Sequence, residues 1–205
     1  GAAEAILIDG TPVGHMGPAQ RRMLGGAFVP EERLGHGAVP DMALAENALL
    51  SGLRRVNLLK KGFIKLAETS DYARRVIEGF NVKTTGVSAT AGSLSGGNLQ
   101  KFIVGREVMQ KPDVLIVSQP TWGVDAGAAA FIHQALIDLA ANGSAVLVIS
   151  QELDELFTIC DRIAVIAEGR LSEPLRTQDA TVEQIGLLMG GTHDLPNTGD
   201  VKRVA

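Results

Sequence analysis

Ser93-Leu94-Ser95-Gly96-Gly97-Asn98-Leu99-Gln100-Lys101 is the stretch on which the reading of this chain turns. A hydroxyl and two glycines stand just before a run in which Leu99, Phe102, Ile103 and Arg106 fall on one face of a helix. Glycines at a helix N-terminus leave backbone N–H groups uncovered, and those groups favour an anion through hydrogen bonds and the helix dipole. For Ser-Gly-Gly alone the plainer reading, a loop with Ser93 or Ser95 as helix N-cap, is the more common one. The segment can meet a phosphate yet brings no catalytic group of its own, as half of a site would.

The longer string Leu94 to Lys101 resembles the signature motif of ABC-type ATPases, and its surroundings fit that family in order and spacing. Val114-Leu115-Ile116-Val117-Ser118-Gln119-Pro120-Thr121, Gly123-Val124-Asp125 and Val146-Leu147-Val148-Ile149-Ser150-Gln151 resemble the Walker B strand, the D-loop and the switch-histidine strand. Upstream, Phe28 to Arg33 and Ala45-Glu46-Asn47 look like the Q-loop region and the start of the helical subdomain. The resemblance runs from about Ala5 to Gly191. Within the family, Gln119 to Asp125 followed by Gly127-Ala128-Ala129, with Lys61-Gly62-Phe63-Ile64 earlier, is similar to the second ATPase half of importers for simple sugars and nucleosides, closer to the nucleoside branch.

That resemblance implies an α/β fold. It would comprise a RecA-like P-loop NTPase core, truncated at its N-terminus, a helical signature subdomain and a remnant of an antiparallel edge sheet. The expected segments are an edge-sheet remnant and Q-loop region over 1–40 and a helical subdomain over 41–92. The core follows over 93–190, then a disordered polar tail over 191–205. No Gly-x-x-x-x-Gly-Lys-Ser/Thr phosphate loop occurs in the sequence. In the family it would lie upstream of Gly1, so a chain cut from something longer is the expectation.

Bulk properties agree with one or two ordinary globular domains. The 205 residues are 45% hydrophobic and only 4% aromatic, suited to a core packed by Ala, Val and Leu. A net charge of −4 argues against nucleic-acid binding driven by a basic surface. Cys160 is the single cysteine, which excludes an internal disulfide and a cysteine-rich zinc site. Apolar runs are strand-sized, well short of the roughly 18 to 20 residues that span a bilayer, and no basic-then-apolar leader pattern opens the chain.

Periodicity predicts the elements. Ala5 to Gly10 reads as a strand ending in a turn, followed by a short helix from Pro18 to Leu24. From about Asp41 to Val87 the pattern is helical, with Ala45, Leu49 and Leu50, then Tyr72, Val76, Ile77 and Phe80, at helical intervals. The Lys and Arg residues there read as a solvated face or a partner surface. Val114–Val117 and Ala145–Ile149 are expected to be buried strands, separated by a helix over about Gly127–Ala141 that stops at Asn142-Gly143. Glu168-Gly169 marks a hairpin, and a last helix is expected near Thr181–Met189.

A phosphoryl-transfer site needs an acidic group to hold Mg2+ and a residue that positions or deprotonates water. Where ABC domains commonly carry Asp-Glu at the end of the Walker B strand, this chain has Ser118 and Gln119, and Gln151 stands at the histidine position. A serine hydroxyl brings no charge, and a glutamine amide cannot take a proton. The resemblance therefore implies a catalytically degenerate site on this half, with no catalytic residue and no resident metal; the alternative is that Glu152 or Asp154 substitutes. Losing a positioned base alone costs ~10²–10⁴-fold.

In the family two halves pack head to tail, each ATP lying between one half's phosphate loop and the other's signature. The resemblance thus assigns Ser95, Gly96, Gly97 and Gln100 to the partner's nucleotide, and Gly123 and Asp125 to the D-loop, Asp125 also being a candidate N-cap. It further implies ATP and Mg2+ in the assembled transporter. The partners would be a first nucleotide-binding half, two membrane-spanning permease subunits and, indirectly, an extracytoplasmic binding protein, with a peripheral location on the cytoplasmic face of the membrane.

Weaker candidates complete the reading. Glu31 falls at the Q-loop position or is a surface carboxylate, and Trp122 either packs within its loop, the commoner case, or stacks on a base. His15, His36, His133 and His193 show no ligand spacing, and Cys160 reads as a small apolar residue. The rival readings are a non-enzymatic ABC-like interaction domain and an ABC ATPase acting on DNA or ribosomes.

Overall fold

A computed structural model describes residues 3–191, which fall into two compact units that divide between Ser150 and Gln151. The first begins with a hairpin of β1 (Leu7–Ile8) and β2 (Thr11–Pro12), closed by Asp9 and Gly10 at φ 47° and 71°. Two successive positive φ values make the tight turn that matches strand twist. Next come α1 (Pro18–Met23), with Pro18 in the first turn where its missing N–H costs nothing, and β3 (Gly26–Val29).

The expected helical stretch contains two helices with a hairpin between them: α2 (Leu44–Gly52), β4 (Leu59–Lys60), β5 (Phe63–Ile64) and α3 (Leu66–Gly79). Lys61 and Gly62, at φ 51° and 85°, form the turn, a Lys-Gly variant of the Asn-Gly signal and easily overlooked in sequence. The register of α2 also departs from the expectation built on Ala45, Leu49 and Leu50. Its inward face is Leu44, Asn47, Ala48 and Ser51, and Leu50 is 54% exposed. Asn47 faces inward because its amide accepts from Val39 N–H and donates to the Val39, Met42 and Ala43 carbonyls, fixing the loop before the helix.

The rest of this unit is a βαβ arrangement: α4 (Gly96–Val108), β6 (Val114–Ser118), α5 (Ala126–Ala141) and β7 (Ala145–Ile149). The strands form one parallel sheet in the order β3-β6-β7, with Val29 opposite Val117 and Ser118 opposite Ile149. Helix α4 packs on α2, α3, α5 and β3, so Leu99, Phe102, Ile103 and Arg106 are buried as the sequence predicts. Gln100, Val104, Gly105 and Glu107 are buried too. Ala27, Val29, Leu115 and Val117 line the buried side of the sheet, whereas Phe28, Leu147 and Ile149 are exposed. The expectation of a buried Ala145–Ile149 strand is corrected here: β7 is an edge strand, and alternate residues lie open.

The second unit holds α6 (Leu153–Ile159), β8 (Arg162–Ile163), β9 (Ile166–Ala167), β10 (Arg170–Leu171), β11 (Leu175–Arg176) and α7 (Val182–Met189). β8 pairs with β11, and β9 with β10, through the predicted turn at Glu168 and Gly169, whose φ values are 50° and 76°. Ile163, Val165, Ile185 and Leu188 form its core, with Cys160 packed against them and its thiol pushed up by burial. Thr181 caps α7 by accepting from Gln184 N–H, and Gln184 Oε1 accepts in turn from Thr181 N–H. The expected polar tail after Gly191, including His193, lies outside the described residues.

Candidate functional site

The N-terminus of α4 is positioned by its own turn. Asn98 donates from its side-chain amide to Ser95 Oγ at 2.9 Å and accepts from Lys83 N–H at 2.9 Å, so the hydroxyl is oriented by a side chain braced on the preceding loop. Ser95 takes the N-cap position, φ −63° and ψ 154°, without accepting a backbone N–H of the helix on its side chain. The first intrahelical bond runs from Leu99 N–H to Ser95 O, leaving the N–H groups of Gly96, Gly97 and Asn98 for an external acceptor.

A second loop stands beside this turn. Asp125 caps α5 by accepting from Ala128 N–H at 2.9 Å, and that bond above all holds its carboxyl below the usual carboxylate range. A Cβ placed on Gly97 would lie 3.4 Å from Asp125 Oδ2, so the signature turn and the Asp125 loop are neighbours. Gly123 has φ 63°, a left-handed conformation that suits glycine. Ser95, Gly96, Gly123 and Asp125 are exposed and Gly97 is half-buried, giving one open face with the free N–H groups on it.

Gln100 does not belong to that face. It is 1% exposed and donates from Nε2 to Pro120 O at 2.9 Å, so it ties α4 to the Pro120–Asp125 loop from beneath. The expected contact of Gln100 with a nucleotide is therefore corrected: its side chain points into the protein and acts on the face by holding its two halves in register. Arg33 is the residue that sequence reasoning missed. Its guanidinium donates to the Trp122 carbonyl, and a Cβ on Gly96 would come within 2.8 Å of Arg33 Nη1. Partial burial lowers its pKa from the ordinary guanidinium range. In the sequence Arg33 stands only as the last residue of the Q-loop-like stretch Phe28 to Arg33, with no role of its own. Lys101 adds a second cation: its ammonium donates to Asn81 O at 2.5 Å, and burial lowers its pKa while Asp125 opposes that.

Ser118 and Gln119 lie at the C-terminal end of β6, the edge of a parallel sheet where ligands bind in α/β folds. Gln119 has φ 49°, is buried, and donates its N–H to Ile149 O at 2.7 Å, which closes the end of the sheet. Glu31 is exposed two residues beyond β3, at the same end. Gln151 is exposed and opens the second unit. Trp122 is 60% exposed, which corrects the expectation that it packs within its loop. Among the described residues no group of three or more His, Cys, Asp and Glu could hold a metal ion.

No protein-family model matches the chain. Among curated proteins it is 44% identical over 163 residues to the nucleoside import ATP-binding protein NupA of Lactococcus lactis, covering 80% of this chain and 32% of that protein. The chain has the fold of an ABC-type nucleotide-binding domain. This ABC domain is also 38% identical to the guanosine import ATP-binding protein NupO of Bacillus subtilis, covering 91% of the chain and 37% of that protein. A putative ribose/galactose/methyl galactoside import ATP-binding protein of Agrobacterium fabrum is 40% identical, covering 93% and 38%. The chain thus spans about a third of the length of these relatives.

Solved structures agree on the fold. The cassette MJ0796, in a dimeric post-hydrolysis state bound to ADP and Pi, matches with a TM-score of 0.67 at 17% identity, covering 83% of this ABC domain and 72% of that chain. An ATP-binding subunit of an ABC transporter matches with a TM-score of 0.68 at 18% identity, covering 89% and 74%.

Proposed function

We propose that this chain is the second nucleotide-binding half of an import ATPase for nucleosides or simple sugars. It lends its signature turn to ATP held by a partner half, while its own site does not turn over. The observation that carries this reading is the contrast between two ends of one unit. Ser95, Gly96 and Gly97 present free N–H groups beside Asp125, whereas β6 ends in Ser118 and Gln119, without a carboxylate.

The residues present fit one of the two implied groups. The N–H groups of Gly96, Gly97 and Asn98, with Ser95 Oγ and the nearby Arg33 cation, are suited to phosphate oxygens of ATP. ATP would supply the phosphoanhydride that the partner half hydrolyses. Mg2+ is not fitted by Ser118 and Gln119, because neither brings the negative charge that a hard cation takes, so no step on this half runs through the metal.

Support for the import role comes from the names of the relatives, two for nucleosides and one for sugars. The parent would work with a first nucleotide-binding half, two permease subunits and an extracytoplasmic binding protein, at the cytoplasmic face of a membrane. No helix among the described residues is long and apolar enough to cross one. The exposed Phe28, Leu147 and Ile149 form a sheet face that another layer of the parent would cover.

The test is phosphate release from ATP by the purified 205-residue chain with Mg2+, expected at the buffer rate. Turnover well above buffer that Gly97→Asp removes would contradict the assignment. The transported class is tested separately, by uptake of labelled nucleosides in cells carrying the whole transporter. Uptake of ribose alone would move the reading to sugars and leave the ATPase reading standing.

A further inference from the structure

The β4–β5 hairpin takes no part in the face described above. From Leu53 to Ala67 the sequence carries Arg54, Arg55, Lys60, Lys61 and Lys65 and no acidic residue, in a chain of net charge −4. Two of these cations are engaged: Arg55 holds the Gln110 and Lys111 carbonyls and Asp113, and Lys65 donates to Asn57 O. Arg54, Lys60 and Lys61 are exposed, and their side chains make no hydrogen bond or ion pair among the described residues.

Apolar side chains stand out beside them. Phe63 is 79% exposed and Leu66 74%, and Ile64 is nearly half exposed. The register pairs Lys60 with Phe63, so an ammonium and a bare phenyl ring share one face of the ribbon, and Lys61 stands in the turn. A folded chain keeps such a ring in water at a cost unless something covers it.

We propose that this hairpin docks on an anionic lipid surface. Phe63 and Leu66 enter the boundary between headgroups and acyl chains, and Lys60, Lys61 and Arg54 meet the lipid phosphates. The pattern of aromatic and aliphatic tips among unpaired cations is that of interfacial membrane segments, and its charge is opposite to that of the lipid. Size decides against a protein partner on this element alone. A stable protein interface takes about 800 Å² from each side, roughly 20–30 residues, whereas the patch from Arg54 to Leu66 spans thirteen. A lipid surface needs only the inserted tips and the surrounding charge.

The experiment is sedimentation of the whole chain with vesicles, either one-third phosphatidylglycerol in phosphatidylcholine or phosphatidylcholine alone, at low and high NaCl. The chain should bind the anionic vesicles, lose most of that binding at high salt, and bind neutral ones poorly. Lys60→Ala and Lys61→Ala should each weaken binding about fivefold, and Phe63→Ala should weaken it further, with the circular dichroism of all three unchanged. In a Trp122→Phe background, Phe63→Trp should shift its fluorescence to the blue on anionic vesicles. Equal binding to both vesicle types, no binding to either, or full binding by the Lys60→Ala, Lys61→Ala double variant would overturn the proposal. So would a position-63 tryptophan whose emission stays that of water.

Discussion

Asp125 carries two roles in one carboxylate. It accepts the Ala128 N–H at the start of α5 and stands beside Gly97, where a partner's phosphate would approach. The cap bond depresses its pKa, so its contribution to folding is complete above the ordinary value of 3.8 and is lost as pH falls through the lower folded value. Asp125→Ala should therefore lower Tm at neutral pH, and the gap to the wild-type chain should narrow below pH 3.8, read by thermal unfolding across pH. At this scale the sequence was legible where backbone chemistry decides: Gly96, Gly97 and Asp125 announce a helix start and a cap. It was not legible where a side chain chooses between two environments. Gln100 follows the glycines like a ligand contact, yet the periodicity of α4 turns it inward onto Pro120 O. Arg33 was read only as the end of the Q-loop-like stretch Phe28 to Arg33, and the fold brings it to Gly96 and Trp122.

Helix α4 is the element on which the first unit is built, and its buried polar residues show why. Glu107, fully buried, accepts from Arg22 Nη1 at 2.6 Å and from Arg106 Nε at 3.2 Å. Arg106 also donates to the Asn47 and Gly37 carbonyls, and Tyr72 donates its hydroxyl to Arg106 O at 2.5 Å, its pKa raised by burial and then by Glu107. Removing one partner of such a network strands the others, so Glu107→Ala should cost about 3–5 kcal/mol, a large part of a typical total, measured by urea unfolding. Gly105→Ala tests the packing. Alanine would ordinarily favour a helix interior by about 1 kcal/mol, but a Cβ there would meet the Phe80 ring at 2.5 Å, and that ring is set edge-on to Phe131. Overpacking of about 1–3 kcal/mol should win, so the variant should unfold at lower urea. Strong periodicity gave the buried face of α4 and the bounds of α5 and β6 nearly to the residue. α2 was read one position out of register because an asparagine, Asn47, occupies a core position, and the β4–β5 hairpin was hidden by a turn without Asn or Asp.

Over the whole molecule, the parallel sheet sets the ends of β3 and β6 at one edge, while α4 and the Asp125 loop make a separate open face. We propose that this separation lets the chain lose turnover at the edge, where Ser118 and Gln119 stand, and keep phosphate contact at the face, where the glycines are. The most direct measurement is ATP hydrolysis by the intact transporter assembled with its membrane subunits, comparing Gly97→Asp with Gln119→Ala. Gly97→Asp puts a side chain and a negative charge where N–H groups would meet phosphate, and it should cut turnover by about 10²-fold or more, while Gln119→Ala should leave most of it. Near-normal turnover in Gly97→Asp, or a greater loss in Gln119→Ala, would contradict the account.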